Sequence, residues 1–289
     1  MPSRCLALPL LVGAIVLPQS QAIQTPVDLS PARWDQRERE RLESLGTVMG
    51  QDKAPAHAAN GKGIITATSS VLAVKAGLVA LDQGGTAADA ALTTAITQVC
   101  LAAGSWVSYA GIFTMVYYDA ESRTLANLNA AFNTVLDEDA PLTIPAASEG
   151  PSGRTALVPG FIAGVEAAHH RFGKLPFAQL FQPAIHYAEQ GFPLHAIHAA
   201  MLAERRAVLT RLPQTRRLFT RADGQLHAQG DVFHQPELAE TLRQIAAQGA
   251  RFMYRGPWAE HFVAAVQRDG GKLTRRDAEH YEPIWRGRR

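Results

Sequence analysis

The stretch from Thr66 to Ile96 reads TATSSVLAVKAGLVALDQGGTAADAALTTAI. Its parts predict a tight helical hairpin entered from a strand. Ile64–Thr68 is a short β-prone run. Val71, Val74, Leu78 and Leu81 recur at helical spacing, and Gly84-Gly85 ends that helix. Thr86 is a good N-cap, and Asp89 stands three residues on as its capping-box partner. The second helix is rich in small residues (Ala87, Ala88, Ala90, Ala91, Ala95), a surface that lets another backbone come close.

Downstream, Phe113–Asp119 and Thr124–Asn129 predict a β-hairpin turning through Ala120-Glu121-Ser122-Arg123. A proline-containing loop runs on to about Gly153, and Gly150-Pro151-Ser152-Gly153 has turn character. Phe161, Val165, Ala168 and Phe172 mark a helix stopped by Gly173. Pro176 is expected at N1 of a further helix carrying Phe177, Leu180, Phe181, Ala184, Ile185 and Ala188, stopped by Gly191. More helices are expected near 195–210, 236–248, 257–269 and 274–280.

Upstream, Met1–Ala22 has the pattern of a secretory signal peptide. Arg4 supplies the basic start, Cys5–Pro18 is apolar but short for a bilayer span, and Ser20 and Ala22 are small enough for cleavage after Ala22. Residues 23–62 are expected as a polar leader and linker, with Pro31–Leu45 as a short solvated helix, and 63–289 as the ordered body. The expected place of work is the periplasm or the exterior, with no stable membrane anchor. Cys5 leaves with the signal, so Cys100 is the sole thiol of the mature chain and no internal disulfide forms. The net charge of +2 gives no electrostatic case for nucleic acid.

Most catalytic signatures are absent: no GxSxG elbow, HExxH, P-loop or GxGxxG occurs. The ten histidines include His169-His170, His186, His195 and His198. Their spacing lacks three convergent ligands, so they are expected at helix ends or on the surface, with no metal and no cofactor. Trp106, Tyr109, Trp258 and Trp285 are expected as core or rim aromatics.

Three blocks in order resemble the gamma-glutamyltransferase (gamma-glutamyltranspeptidase) family, in its large-subunit portion. The first holds Ala76-Gly77 and Gly84-Gly85-Thr86-Ala87-Ala88-Asp89-Ala90-Ala91. The second is Val158–Leu194. The third is Phe233–Arg286, with its G-G-x-L-T (Gly270–Thr274), D-x-x-x-Y (Asp277–Tyr281) and W-R (Trp285-Arg286). The resemblance implies an α+β fold of the N-terminal-nucleophile hydrolase type, an αββα sandwich of which this chain holds the helix-rich large-subunit half. It also implies a threonine nucleophile on a small subunit, so no catalytic residue is assigned within this chain. That small subunit and a small peptide or γ-glutamyl substrate are the partners implied. The family places donor recognition on a Gly-rich loop before the first hairpin strand, here Gly104–Gly111, and on an Arg after the second. The matching stretch, Asn129–Val135, has no Arg, so a charge-assisted pair with a substrate carboxylate is missing. Ser105, Ser108, Asn129 and Asn133 are the candidate substrate-binding residues. The alternative is a non-catalytic secreted remnant or binding module of the same fold.

Overall fold

The fold is that of a computed structural model, which describes residues 26–45, 70–105, 107–146 and 150–288. The signal peptide, the strand expected at Ile64–Thr68, most of the linker and Trp106 lie outside the described residues.

A 3-10 turn, Pro31–Arg33, precedes α1 (Gln36–Leu45). This segment is not merely solvated. Leu29, Trp34 and Leu42 are buried in the main core. Trp34 meets Tyr187 edge to face at 6.3 Å, Leu29 N donates to Gln182 Oε1 at 2.6 Å, and Lys75 pairs with Glu38 at 2.8 Å. Charged residues dominate α1 in composition, but each buried apolar side chain is worth about 1.5–3 kcal/mol, more than an exposed ion pair returns.

The hairpin of α2 (Val71–Asp82) and α3 (Ala87–Leu101) forms where expected. Its interface sits one position away from the expected stripe. Leu72, Ala73, Ala76, Gly77 and Ala80 are buried, whereas Val71, Val74, Leu78 and Leu81 are half-buried. Small residues on both helices bring the backbones together, so small side chains occupy the contact and larger ones flank it. Gly84, at φ +83°, and Gly85 close α2 with bonds from Gly85 N to Ala80 O and Gly84 N to Leu81 O, both 2.9 Å, a Schellman ending. A Cβ on Gly85 would meet Ala80 O at 2.7 Å and Leu175 Cδ1 at 2.9 Å. α3 is the central helix, with Leu92, Ile96 and Cys100 fully buried. Thr94 and Thr97 return their hydroxyls to Ala90 O and Thr93 O at 2.8 and 2.7 Å, which satisfies them within the core.

β1 (Phe113–Asp119) and β2 (Thr124–Ala130) pair antiparallel, and β2 then pairs with a distant strand introduced below. α4 (Phe161–Phe172) lies across them. The helix expected from Pro176 is divided into a 3-10 turn, Phe177–Phe181, and α5 (Gln182–Gln190). Pro183 has no N–H for an i→i−4 bond, so the preceding turn tightens and Gln182 N bonds to Gln179 O. β3 (Phe192–Pro193) precedes α6 (Ala196–Glu204) and α7 (Arg206–Leu209), which share the region expected as one helix. They break at Arg205, whose guanidinium turns away to two carbonyls. α8 (Pro213–Phe219), β4 (Val232–Phe233), α9 (Pro236–Gln248), α10 (Arg251–Tyr254), α11 (Pro257–Arg268) and α12 (Arg275–Glu279) complete the helical body. β5 (Ile284–Arg288), not expected from the pattern, returns to the sheet beside β2, giving the order β1-β2-β5.

The two faces of this sheet differ. On one, Phe113, Met115 and Tyr117 alternate with Ala126, Leu128 and Ala130 of β2 under α4. Tyr117 stacks on Phe172 at 4.0 Å and Phe172 meets Trp285 at 5.8 Å. On the other, Val116, Tyr118 and Ile284 are 65%, 60% and 52% exposed. Among the described residues, nothing covers that face.

Candidate functional site

The chain leaves α3 through Ala103 and Gly104, both at positive φ (50° and 74°). Gly104 lies against the Phe219 ring. Arg205 Nη1 donates to Gly104 O at 2.6 Å and to Ser105 O at 2.5 Å. The turn is therefore fixed to the α6–α7 break. Tyr109 plunges back into the core, donating to Ile96 O at 2.7 Å and meeting Phe161 edge to face at 5.8 Å. Between these anchors Ser108 is exposed, its Oγ accepting from Ala110 N at 3.0 Å. Gly111 O accepts from Gly160 N at 2.8 Å and Phe161 N at 3.0 Å, at the start of α4.

Asn129 is on the uncovered face of β2, and its Oδ1 accepts from Ala131 N at 3.0 Å. Asn133 pairs through its backbone with Val158, at 3.1 and 2.9 Å. Its side-chain amide is exposed and has no partner among the described residues. Thus Ser108–Gly111, Asn129–Asn133 and Val158–Phe161 converge at one end of the sheet. Ser105 is tied to a different support, the Arg205 guanidinium. The structure brings Ser108, Asn129 and Asn133 to one end and leaves Ser105 at its margin. Ser108 and Asn133 there offer a hydroxyl proton and an amide to a polar ligand, and no cation.

Farther along the same loop, Glu138 Oε1 accepts from Ala140 N at 3.0 Å, from Arg154 at 2.8 Å and from Lys272 at 3.1 Å. The Ala140 N–H, with the Arg154 and Lys272 cations, holds its carboxyl down at a pKa of about 2. These contacts are structural ties and leave no free charge for a substrate.

Among the described residues, no nucleophile constellation accompanies the site. Cys100 is fully buried, its Sγ 3.3 Å from Ala184 O, and burial pushes its thiol pKa up, the reverse of a reactive cysteine. His198, at the start of α6, accepts from His195 N through Nδ1 at 3.2 Å. Burial holds it neutral, with a pKa lowered to about 4. His169 lies 3.9 Å from the buried Asp89, and its Nε2 meets Leu175 O at 2.7 Å. Among the described residues no group of three His, Cys, Asp or Glu is placed to hold a metal. A cavity of about 340 Å³ opens on the far side of Tyr254 and Tyr281, which line it with Glu166, His170, Arg251 and Arg255.

A family model described as gamma-glutamyltranspeptidase matches residues 73–288. The chain belongs to the gamma-glutamyltranspeptidase family. The glutathione hydrolase proenzyme of Pseudomonas aeruginosa is 32% identical over 251 residues, which cover 85% of this chain and 44% of that protein. Scoloptoxin SSD14 of Scolopendra dehaani is 33% identical over 226 residues, covering 75% of this chain and 38% of its own length. The crystal structure of Helicobacter pylori gamma-glutamyltranspeptidase superposes with a TM-score of 0.72 at 27% identity, covering 80% of this chain and 67% of that chain. The chain thus spans well under half the length of these curated relatives. Its fold is the α+β fold of N-terminal-nucleophile hydrolases, represented by a helix-covered sheet.

The motif carrying much of the gamma-glutamyltranspeptidase resemblance is a folding device. Asp89 is fully buried. Its Oδ2 accepts from Thr86 N (2.8 Å), Thr86 Oγ1 (3.1 Å), Lys174 N (2.9 Å) and Leu175 N (3.2 Å). One carboxylate therefore caps α3 and also pins the chain that leaves α4. The helpers of the site lie far away in sequence: Arg205 on the Ser105 turn, and Tyr281 and Asp277 on the Asn133 segment. Their sequence signal was the D-x-x-x-Y motif, which marks the last two as important without saying what they touch. No local pattern marks Arg205.

Proposed function

We propose that this chain is the large-subunit part of an exported enzyme that transfers or hydrolyses γ-glutamyl or related acyl groups. Its nucleophile is a threonine outside the chain, at the start of a small subunit. The observation that carries this is the sheet with one face sealed by α4 and the other open, with Val116, Tyr118, Leu125 and Ile284 exposed there among Thr114, Asn127, Asn129 and Arg286. A second sheet bearing the threonine completes a sandwich on that open face, and burying its exposed Val, Tyr and Ile side chains supplies the association energy.

In the assembled enzyme the threonine hydroxyl attacks the γ-glutamyl carbonyl, and its own α-amine takes the proton. The amine or thiol-bearing product leaves, and an acyl-enzyme remains. Water or an amino acid then takes the acyl group. Backbone donors that stabilise the oxyanion belong to the portion carrying the threonine. This chain contributes the donor-side loops, Gly104–Gly111 and Asn129–Val135. With Asn133 in place of a cation, the substrate carboxylate gains a neutral hydrogen bond and no ion pair, which weakens discrimination for glutathione. The difference between a charged and a neutral bond is about 1 kcal/mol or more, a factor of five to ten in KM.

The test is to express residues 23–289 alone and together with a small-subunit partner, then assay hydrolysis of a γ-glutamyl anilide. Activity is expected from the pair and not from the chain alone. Activity from the chain alone overturns the placement of the nucleophile. A pair that assembles without activity points to the binding-module alternative.

A further inference from the structure

Asn133 sits near the start of the long connection from β2 to α4. Three side chains from the C-terminal helical block grip that connection. Tyr281 OH donates to Ala131 O at 2.5 Å. Asp277 Oδ1 accepts from Leu136 N at 2.6 Å. Tyr254 OH donates to Pro159 O at 2.7 Å, one residue beyond the Val158 that pairs with Asn133. The two tyrosine rings stack, with centroids 5.4 Å apart and planes 23° apart. They therefore act as one unit, with one phenol on each strand of the antiparallel Asn133–Val158 bridge, both at its Ala131–Gly160 end.

The surroundings are built to admit this grip. A Cβ on Gly160 would stand 2.0 Å from Tyr281 Oη and 2.1 Å from Ala130 O, so glycine leaves the phenol its path. Asp277 divides its oxygens. Oδ2 caps its own helix through Thr274 N at 2.7 Å and Thr274 Oγ1 at 2.5 Å, and Oδ1 is left for the loop. Burial raises both phenols, Tyr281 to about 12 and Tyr254 further, so both remain donors throughout the working pH range. Long connections inside a compact body are uncommon unless they serve a site, and a binding group on one must be held to be useful.

We infer that Tyr281, Asp277 and Tyr254 are positioning residues for donor recognition, fixing the backbone on both sides of Asn133 so that its amide meets the substrate carboxylate. This rests on the γ-glutamyl reading proposed above. The clamp is separable from that reading because it is measurable in the chain itself.

Two experiments decide it. In hydrogen-exchange mass spectrometry of the full chain, Tyr281→Phe is expected to speed exchange across residues 131–136 about fivefold, the worth of one hydrogen bond, with β1 unchanged. In the enzyme assembled with its small subunit, the same variant is expected to raise KM for a γ-glutamyl anilide about fivefold with kcat within twofold. That increase is expected to vanish in an Asn133→Ala background, because the two residues act in series. Tyr254→Phe, which leaves the Ala131 contact in place, is the second variant if Tyr281→Phe folds poorly. Unchanged exchange overturns the clamp. Faster exchange with an additive double mutant, or a loss in kcat alone, overturns its role in recognition. An assembled wild-type enzyme inactive on γ-glutamyl substrates overturns the reading beneath it.

Discussion

Tyr117 and Tyr118 are neighbours on β1, yet they belong to different environments. Tyr117 stacks on Phe172 beneath α4, and Tyr118 stands 60% exposed on the opposite face. Strand alternation makes this inevitable. What differs is what each face meets: a helix with a full set of aromatic partners, or solvent. The chain invests its packing energy on one side of the sheet and leaves the other side as a surface to be covered. The first face belongs to the stability of this chain, and the second to its assembly.

The largest expected effect lies deep on the covered side. Asp89→Ala strips three backbone N–H groups of one shared acceptor, while the Thr86 hydroxyl keeps Phe172 O at 2.8 Å. A loss of about 3–5 kcal/mol is expected, seen in a urea titration as a lower midpoint with unchanged slope. A loss below about 1 kcal/mol breaks the claim that this side carries the stability. Next, Tyr117→Ala is expected to cost about 2 kcal/mol, since it removes a stacked and half-buried ring.

A smaller effect is set by pH. His198 has an ordinary pKa near 6.5 when unfolded and about 4 when folded, because burial disfavours its charge. Above pH 6.5 both states are neutral and nothing is lost. As pH falls from 6.5 towards 4 the unfolded chain takes up a proton that the folded chain refuses, so stability declines. At pH 5.5 the expected loss is about 1 kcal/mol. His198→Gln should flatten that stretch of the stability–pH curve, and an unaltered slope would place the acid sensitivity elsewhere.

The smallest effect on folding, and the sharpest on assembly, is expected from Tyr118→Ala with Val116→Ala. In the isolated chain the pair should shift stability by less than about 0.5 kcal/mol, while binding of the small subunit, followed by light scattering, should weaken at least tenfold. Equal binding by the double variant would remove the open face from the assembly.

The same contrast governs how far the sequence was legible. The α2–α3 hairpin, the β1–β2 hairpin and the Gly173 and Gly191 stops rest on caps, turns and periodicity within a few residues, so they could be recognised locally. β5 could not, because Leu128 finds Trp285 across the whole helical body, and no local pattern encodes that pairing. The stripe on α2 was displaced because the close approach to α3 depends on a partner helix. At the site, the Gly-rich loop and the Asn129–Asn133 stretch were recognisable by resemblance, and three of the four polar candidates do reach one end of the sheet. Arg205, which grips Ser105 O from a hundred residues away in the chain, carries no local mark at all.

Cys100 gives the molecule a clock. Its thiol is sealed in the core at the C-terminal end of α3, against α5 and the start of α9, where Gln235 Nε2 also reaches Cys100 O at 3.0 Å. A thiol reagent reaches it when that centre opens, so the labelling rate reads the frequency of opening directly. The same enclosure keeps Cys100 out of mixed disulfides for as long as the core stays shut. Any change that loosens the Asp89 clamp would then be recorded as a covalent mark on a residue some distance from it.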